Sequence, residues 1–149
     1  MVNVKKLYYV LALFNTKIAS LYFKAFNSTI TLQVKDVKAF PIIIDPNVEE
    51  EIYHLALINV RLSKEDWDSS ESSWDFSCHP LVRLRANGLI DQSFQRWEKE
   101  CDIRFETVRE NEEKINRIFT SLYLFEGEVD PTVDANDVSI HKAIRSKDI

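Results

Sequence analysis

The stretch Leu89–Phe125, LIDQSFQRWEKECDIRFETVRENEEKINRIFTSLYLF, contains neither Pro nor Gly and decides the fold. Apolar residues recur in it every seven positions, at Phe94, Cys101, Val108, Ile115 and Leu122. Others lie beside that line at spacings of three and four: Trp97, Phe105, Ile118 and Phe119. The spacing predicts a helix of about ten turns with one apolar stripe and charged opposite faces. So long a heptad favours packing along another helix, as in a coiled coil or helical hairpin.

The repeat is imperfect in its second apolar position. Arg104 and Asn111 occupy that position, where Trp97 and Ile118 stand elsewhere in the stretch. A stripe of this kind is usually core, so we interpret the helix as a scaffold and its glutamates as solvated faces.

The chain before this helix alternates between helical and extended patterns. Residues 7–26 are helix-rich, and the interruption at Asn15–Thr16 predicts one kinked helix or two short ones. TITLQV at residues 29–34 alternates like a half-buried strand, and Ile42–Ile44 adds a second short extended piece. Asp45-Pro46-Asn47 marks a boundary, after which helical spacing resumes.

The predicted fold class is therefore mainly α. It is a helical bundle or hairpin built on one long amphipathic helix, with a short β element near residues 29–44. We divide the chain into residues 1–44 and residues 45–149, the second region ending in an acidic tail.

Glycine is scarce, and this scarcity excludes several kinds of site. Only Gly88 and Gly127 occur, where average usage would give about ten. Neither a GxGxxG dinucleotide loop nor a P-loop can be built from two isolated glycines.

Cysteine and histidine usage points to a reducing compartment without a metal centre. Cys78 and Cys101 make no disulfide framework, and His54, His79 and His141 lack paired ligand spacing. The apolar run Leu7–Phe14 is too short to span a bilayer. We expect a cytoplasmic protein with no membrane partner.

Charge is divided unevenly along the chain, whose net charge is −5. Residues 1–44 carry six lysines against Asp36 alone, a balance of +5, so the remainder carries −10. A basic head on an acidic helical body indicates that the head makes any polyanion contact. The alternative is that these lysines only solvate the surface.

A polar, serine-rich segment carries two Trp-Asp pairs seven residues apart, at Trp67 and Trp74. We expect these tryptophans to anchor the segment onto the helical body, with a binding or stacking role as the alternative.

Three segments carry a resemblance to known proteins. Leu11–Ile42, LALFNTKIASLYFKAFNSTITLQVKDVKAFPI, resembles the end of a target-recognition region in adenine-specific DNA methyltransferases and in type I specificity subunits. The matching elements are Leu13–Lys17 and Asn27–Ile42. LSKEDWDSSESSWDFSCHPL and NEEKINRIFTSLYLFEGEVDPTVDANDVSI are similar to the phage-exclusion methyltransferases called PglX-like.

This resemblance implies a piece of an N6-adenine DNA methyltransferase that uses S-adenosylmethionine. In that family a (D/N)PPY motif contacts an adenine flipped out of the stack. The four prolines of this chain are never adjacent, so that motif is missing, as is any glycine-rich cofactor loop. The resemblance thus implies a fragment or split product, namely the C-terminal end of the recognition region and a helical spacer. We expect no cofactor and no independent activity in this chain.

The main hypothesis is a DNA-recognition and spacer module that binds double-stranded DNA and a separate catalytic portion or subunit. Lysines of the head would contact phosphates, which position the protein on DNA. The side-chain amides of Gln33 and Asn27 could read adenine edges. The alternative is that Gln33 is only a strand residue and Asn27 only a helix cap. The predicted DNA-binding residues are Lys17, Lys24, Asn27, Gln33, Lys35 and Lys38. The alternative is a protein-interaction or oligomerisation module, including a homodimer through the long helix, that never touches DNA.

Overall fold

The computed structural model of the chain describes residues 3–26, 31, 33–85 and 89–143. Within these ranges the chain forms six helices and no strand: α1 (Val4–Phe14), α2 (Lys17–Phe26), α3 (Val34–Ala39), α4 (Pro46–Trp67), α5 (Pro80–Arg83) and α6 (Ile90–Leu122). The predicted mainly α class, built on one long helix, is confirmed. None of the helices described is both long and apolar enough to cross a bilayer.

The residues cluster into two compact units. The first comprises Met1–Leu57 and Asn111–Val133, and the second comprises Ile58–Glu110 and Asp134–Ile149. Helices α4 and α6 therefore each contribute one part to each unit. The predicted division into residues 1–44 and 45–149 was based on a resemblance to regions of a protein family. These compact units do not test that division, which stays a prediction.

Two short helices, rather than one kinked helix, follow from the Asn15–Thr16 interruption. The buried Thr16 side chain donates a hydrogen bond through Oγ1 to the Leu13 carbonyl at 2.6 Å. The same oxygen accepts a bond from the Ala19 amide at 3.2 Å. One threonine therefore closes α1 and caps α2, which explains why a residue that is poor within helices stands at the junction.

The core of the first unit is apolar and rich in aromatic rings. Its largest fully buried side chains are Tyr9 and Leu13 from α1, Ile52 from α4 and Phe119 from α6. The rings of Tyr9 and Phe119 meet edge to face with centroids 5.3 Å apart. Burial of each such side chain stabilises the fold by roughly 1.5–3 kcal/mol, so this cluster is the main source of stability in the unit.

The short β element predicted near residues 29–44 is wrong for the part of that range the structure describes. Thr29, Ile30 and Leu32 lie outside the described residues. The last residue of the alternating pattern, Val34, is the first residue of helix α3, which continues to Ala39. The backbone amide of Gln33 donates a hydrogen bond to Asp36 Oδ2 at 2.9 Å, and this local bond stabilises the start of α3. The alternation of apolar residues gave no indication of this helix.

The segment at residues 41–45 is not a strand either, because tyrosine hydroxyls replace a neighbouring strand. Tyr123 Oη donates to the Pro41 carbonyl at 2.6 Å and accepts from the Ile43 amide at 3.2 Å. Tyr9 Oη donates to the Ile43 carbonyl at 3.1 Å and accepts from the Asp45 amide at 3.4 Å. Backbone groups that the β-branched run would offer to a ladder are thus satisfied by side chains.

Helix α6 buries its predicted apolar stripe. Four stripe residues are less than a tenth exposed, namely Phe94, Cys101, Val108 and Ile115, while Leu122 packs partly buried against the first-unit core. The helix then ends in a Schellman motif: Leu124 has a φ of 61°, its amide bonds to the Ser121 carbonyl at 3.1 Å, and the Phe125 amide bonds to the Thr120 carbonyl at 2.9 Å.

The core of the second unit is smaller and contains a buried charge. Phe94, Trp97 and Cys101 form its centre. Arg104 is only 7% exposed, with its guanidinium carbon 5.1 Å from the centroid of the Trp97 ring and Nη1 3.7 Å from Asp66 Oδ1. The irregular heptad position therefore places a cation between an aromatic ring and a carboxylate, which explains why it is not apolar.

Candidate nucleic-acid interface

The described residues that were predicted to contact DNA belong to the first unit, around α2 and α3. Lys17 begins α2, Lys24 lies in its last turn, Gln33 precedes α3, and Lys35 and Lys38 lie on α3. Asn27 lies outside the described residues.

Lys17 is engaged within the fold. Its backbone amide donates to Asn116 Oδ1 at 3.1 Å, and its Nζ donates to the Thr132 carbonyl at 2.5 Å. Asn116 is itself buried and donates through Nδ2 to the Pro131 carbonyl at 3.3 Å. Lys17 thus helps to tie the chain after α6 to the start of α2.

Three other lysines, Lys24, Lys35 and Lys38, are exposed and lie in no ion pair within the described part of the chain. We call them the α2–α3 lysines. Two other lysines of the same unit are paired: Lys5 pairs with Glu50, and Lys114 Nζ lies 2.7 Å from Glu51 Oε1. Lys6 on α1 is exposed and, like the α2–α3 lysines, lies in no ion pair among the described residues. The α2–α3 lysines therefore keep their charge available for an external anion.

An aromatic cluster supports the helices that carry these lysines. Phe40 is 5% exposed and contacts the rings of Tyr22 and Phe14 at centroid distances of 4.6 and 5.4 Å. Tyr22 Oη also donates to the Ala39 carbonyl at 3.0 Å, which joins the end of α3 to α2. The aromatic residues were visible in the sequence, but only the fold shows that they support the basic surface.

Gln33 has a different structural role from the one its sequence context indicated. It is an exposed residue at the N-cap of α3 rather than a strand residue. Its backbone amide is used by Asp36, as described above. Base reading by its side chain stays a prediction.

The second unit carries an exposed feature, residues 67–75, which we call the tryptophan turn. Trp74 is 101% exposed and Trp67, the last residue of α4, is 59% exposed. The expectation that both tryptophans anchor this segment onto the helical body is therefore wrong for Trp74, and Trp67 is more than half exposed. The segment is held by its polar residues instead.

Lys64 organises the tryptophan turn. Its Nζ lies 2.8 Å from Asp68 Oδ2 and 2.6 Å from Asp75 Oδ2, the carboxylates that follow the two tryptophans. Ser73 Oγ donates to Asp68 Oδ1 at 2.8 Å and accepts from the Asp75 amide at 3.2 Å. The hydrogen bonds that Lys64 donates to the two carboxylates raise the pKa of Lys64, and the one to Asp68 lowers the pKa of Asp68.

A cleft of about 610 Å³ lies in the second unit beside Trp97 and Arg104. The other charges in its lining are largely paired, as in the Arg83 Nη2–Glu100 Oε2 contact of 2.7 Å. Across the described residues, no group of three or more His, Cys, Asp or Glu side chains is placed to hold a metal ion. The cleft therefore offers no arrangement that points to one chemistry.

Comparison with known proteins identifies the relatives of this chain. No protein-family model matches it. It is 31% identical over 147 residues to the adenine-specific methyltransferase PglX of Lacticaseibacillus casei (strain Zhang), a match that covers 96% of the chain. The chain is a relative of the PglX-like methyltransferases. The resemblance read from the Trp-Asp segment and from residues 111–140 is thereby confirmed.

A second adenine-specific methyltransferase is matched over nearly the same extent of the chain. The chain is 26% identical over 139 residues to the adenine-specific methyltransferase BrxX of Escherichia coli O9:H4 (strain HS), covering 93% of the chain. In both comparisons the chain spans a small part of the relative, 12% of PglX and 11% of BrxX. Both units of the chain therefore correspond to one segment of much longer proteins.

Proposed function

We propose that the chain is the DNA-recognition and spacer portion of an adenine-specific DNA methyltransferase of the restriction-modification or phage-defence type. The supporting observation is a relationship to PglX along 96% of a chain that contains no two adjacent prolines. Base methylation and S-adenosylmethionine binding would then be supplied by the rest of such a protein, which we call the methyltransferase body. A cytoplasmic location is part of this proposal, because the DNA substrate would be found there.

The α2–α3 lysines are the residues that would face double-stranded DNA. They are exposed and unpaired in the described structure, whereas Lys17 is tied to Thr132 and would act as support. Their ammonium groups would displace counterions from the phosphates and so position the protein without selecting a sequence.

The acidic remainder of the chain restricts where DNA can lie. Residues 45–149 carry a net charge of −10, so a duplex would be repelled from most of their surface. We infer that this region acts as a spacer, holding the basic surface at a defined distance from the methyltransferase body.

The first test reverses two charges on the proposed interface. For the double variant Lys24→Glu/Lys35→Glu, we expect duplex affinity to fall by about tenfold or more at low salt. The slope of log K against log salt should shrink by about two, one for each lost phosphate contact. Fluorescence anisotropy with a labelled duplex, measured over a series of salt concentrations, gives both quantities.

The matched control is Arg96→Glu/Lys99→Glu, which makes the same change in net charge at exposed positions of α6 in the second unit. This variant should retain most of the duplex affinity. An equal loss of duplex affinity in both variants would mean that the overall net charge, and not the position of the lysines, controls binding. Unchanged duplex affinity in Lys24→Glu/Lys35→Glu would refute the proposed interface.

A protein-interaction module is the second candidate function, and α1 favours it. Tyr9 and Leu13 bury one face of this helix. Val4, Leu7 and Leu11, spaced three and four apart on the opposite face, are 55%, 58% and 43% exposed. A helix that is apolar on two opposite faces is normally covered on both.

A homodimer through the long helix, proposed from the heptad, has less support than this α1 face. The α6 stripe is already covered within the single chain, with Val108 and Phe119 at 0% exposure. Light scattering of the same protein preparations separates the candidates: a mass that rises with concentration supports self-association, and a constant monomer mass with retained duplex binding supports the recognition module.

A further inference from the structure

The tryptophan turn holds the most exposed large hydrophobic side chain among the described residues. Trp74 has 101% of its reference surface in solvent. Tryptophan buries more area than other side chains and dominates the energetics of many protein interfaces. Nothing in the described structure of the turn requires an indole at this position, because the hydrogen bonds that hold the turn come from Lys64, Asp68, Ser73 and Asp75.

The turn presents Trp74 in a defined position. Asp68 and Asp75 converge on one ammonium group at 2.8 and 2.6 Å, and Ser73 bonds to both of these residues. These contacts bring together the two chain segments that carry Trp67 and Trp74. A side chain on an already ordered turn loses little further freedom on binding, which favours affinity.

The charge around the tryptophans determines the kind of partner. Residues 64–75 contain five carboxylates, and Lys64 is the single basic residue among them. This field repels the phosphates of nucleic acid, so base stacking on Trp74 is disfavoured. It attracts a protein surface that bears lysines or arginines.

We propose that the tryptophan turn is the docking element for the methyltransferase body, with Trp74 entering an apolar pocket rimmed by basic side chains. The identity of this partner rests on the proposed function. The observation that favours it is that the relatives contain the corresponding segment within a chain about eight times longer, as the 12% coverage shows. In this arrangement Lys64 is a positioning residue that holds both Trp-Asp pairs.

The test uses the PglX protein of Lacticaseibacillus casei, with its matched segment deleted, as the methyltransferase body. Titration calorimetry with the intact chain should show binding that weakens as salt increases. Trp74→Ala should lower the affinity by about tenfold or more. Lys64→Met should lower it less while leaving the circular dichroism spectrum unchanged. The control Val82→Ala, at a position 65% exposed outside the turn, should bind like the unmodified chain.

A second measurement avoids any need for a separately folded body. In a chimera, the chain replaces the matched segment of PglX. Hydrogen exchange at residues 68–79 should then be slower than in the isolated chain, and Trp74→Ala should remove that protection. Equal exchange in the chimera and the isolated chain would overturn the proposal.

Single-stranded DNA distinguishes the remaining outcome. If Trp74→Ala weakens binding of a single-stranded oligonucleotide and leaves binding to the body unchanged, the turn is a stacking surface and the docking proposal is wrong. Duplex binding through the α2–α3 lysines should be the same in Trp74→Ala as in the unmodified chain. Failure of the docking proposal is therefore distinguishable from failure of the DNA-recognition proposal.

Discussion

The two units of this chain are stabilised by different chemistry, although α6 contributes to both. In the first unit the second heptad position holds Asn111 and then Ile118, which packs against a core with fully buried aromatic side chains. In the second unit the same position holds Trp97 and then Arg104, whose guanidinium lies between the Trp97 ring and Asp66. The difference shows that one helical repeat can support an apolar core along one part and a buried ion pair along another.

The consequence is that the two units should respond differently to mutation. An apolar core loses stability through cavities, nearly independently of pH. A buried charge pair loses stability when one partner is left alone, and the loss depends on protonation of the remaining group.

The largest effect is expected in the apolar core. Phe119→Ala removes a side chain that is 0% exposed, and it should lower the free energy of unfolding by about 3–5 kcal/mol. Urea denaturation followed by circular dichroism measures this loss. The control Phe26→Ala, at a position 74% exposed, should cost less than about 1 kcal/mol. Similar losses for both variants would mean that Phe119 is not a core residue.

A smaller, pH-dependent effect is expected in the second unit. Arg104→Met leaves the half-buried Asp66 without its cation, and it should cost about 2–3 kcal/mol at pH 7. Burial already raises the pKa of Asp66, and Arg104 opposes that rise. Without Arg104 the carboxyl group takes up a proton more readily, so the loss should diminish toward pH 4.

The double variant Arg104→Met/Asp66→Asn provides the control for this pair. It removes both charges and should recover most of the lost stability at pH 7. A pH-independent loss, or no recovery in the double variant, would show that the cavity left by Arg104, rather than the unpaired carboxylate, destabilises the unit.

The smallest effect concerns Glu112, an acid in the apolar first unit. Burial raises its pKa from 4.5 to about 7. Between pH 4.5 and pH 7 the Glu112 carboxyl group is therefore protonated in the folded state and ionised in the unfolded state. Stability should therefore fall as pH rises through 4.5 to 7 and stay lower above pH 7. Glu112→Gln should remove this slope and stabilise the protein at pH 8 by about 1–2 kcal/mol, allowing for its partial exposure.

Thermal unfolding of Glu112→Gln at several pH values measures this contribution, and exposed Glu110→Gln is the control. A pH profile in Glu112→Gln that matches the unmodified protein would show that Glu112 is solvated in the folded state.

Part of the candidate interface could be predicted from the sequence. The exposure of Lys24, Lys35 and Lys38 agrees with the basic head inferred from charge alone. The engagement of Lys17 could not be predicted, because its partners Asn116 and Thr132 lie about a hundred residues away along the chain. The exposure of Trp74 was not predicted either, because the expectation from the sequence was that both tryptophans anchor the segment, with a binding role as the alternative.

The sequence by itself determined the long helix and its buried stripe, because a 3.6-residue period with no Pro or Gly is a local property. It also determined the relationship to PglX-like proteins, through the Trp-Asp segment and residues 111–140. Only the tertiary structure decided that residues 41–45 form no strand and that Arg104 is buried. Both outcomes depend on partners supplied by distant residues, the hydroxyls of Tyr9 and Tyr123 and the carboxylate of Asp66, and no local pattern records where such partners will meet.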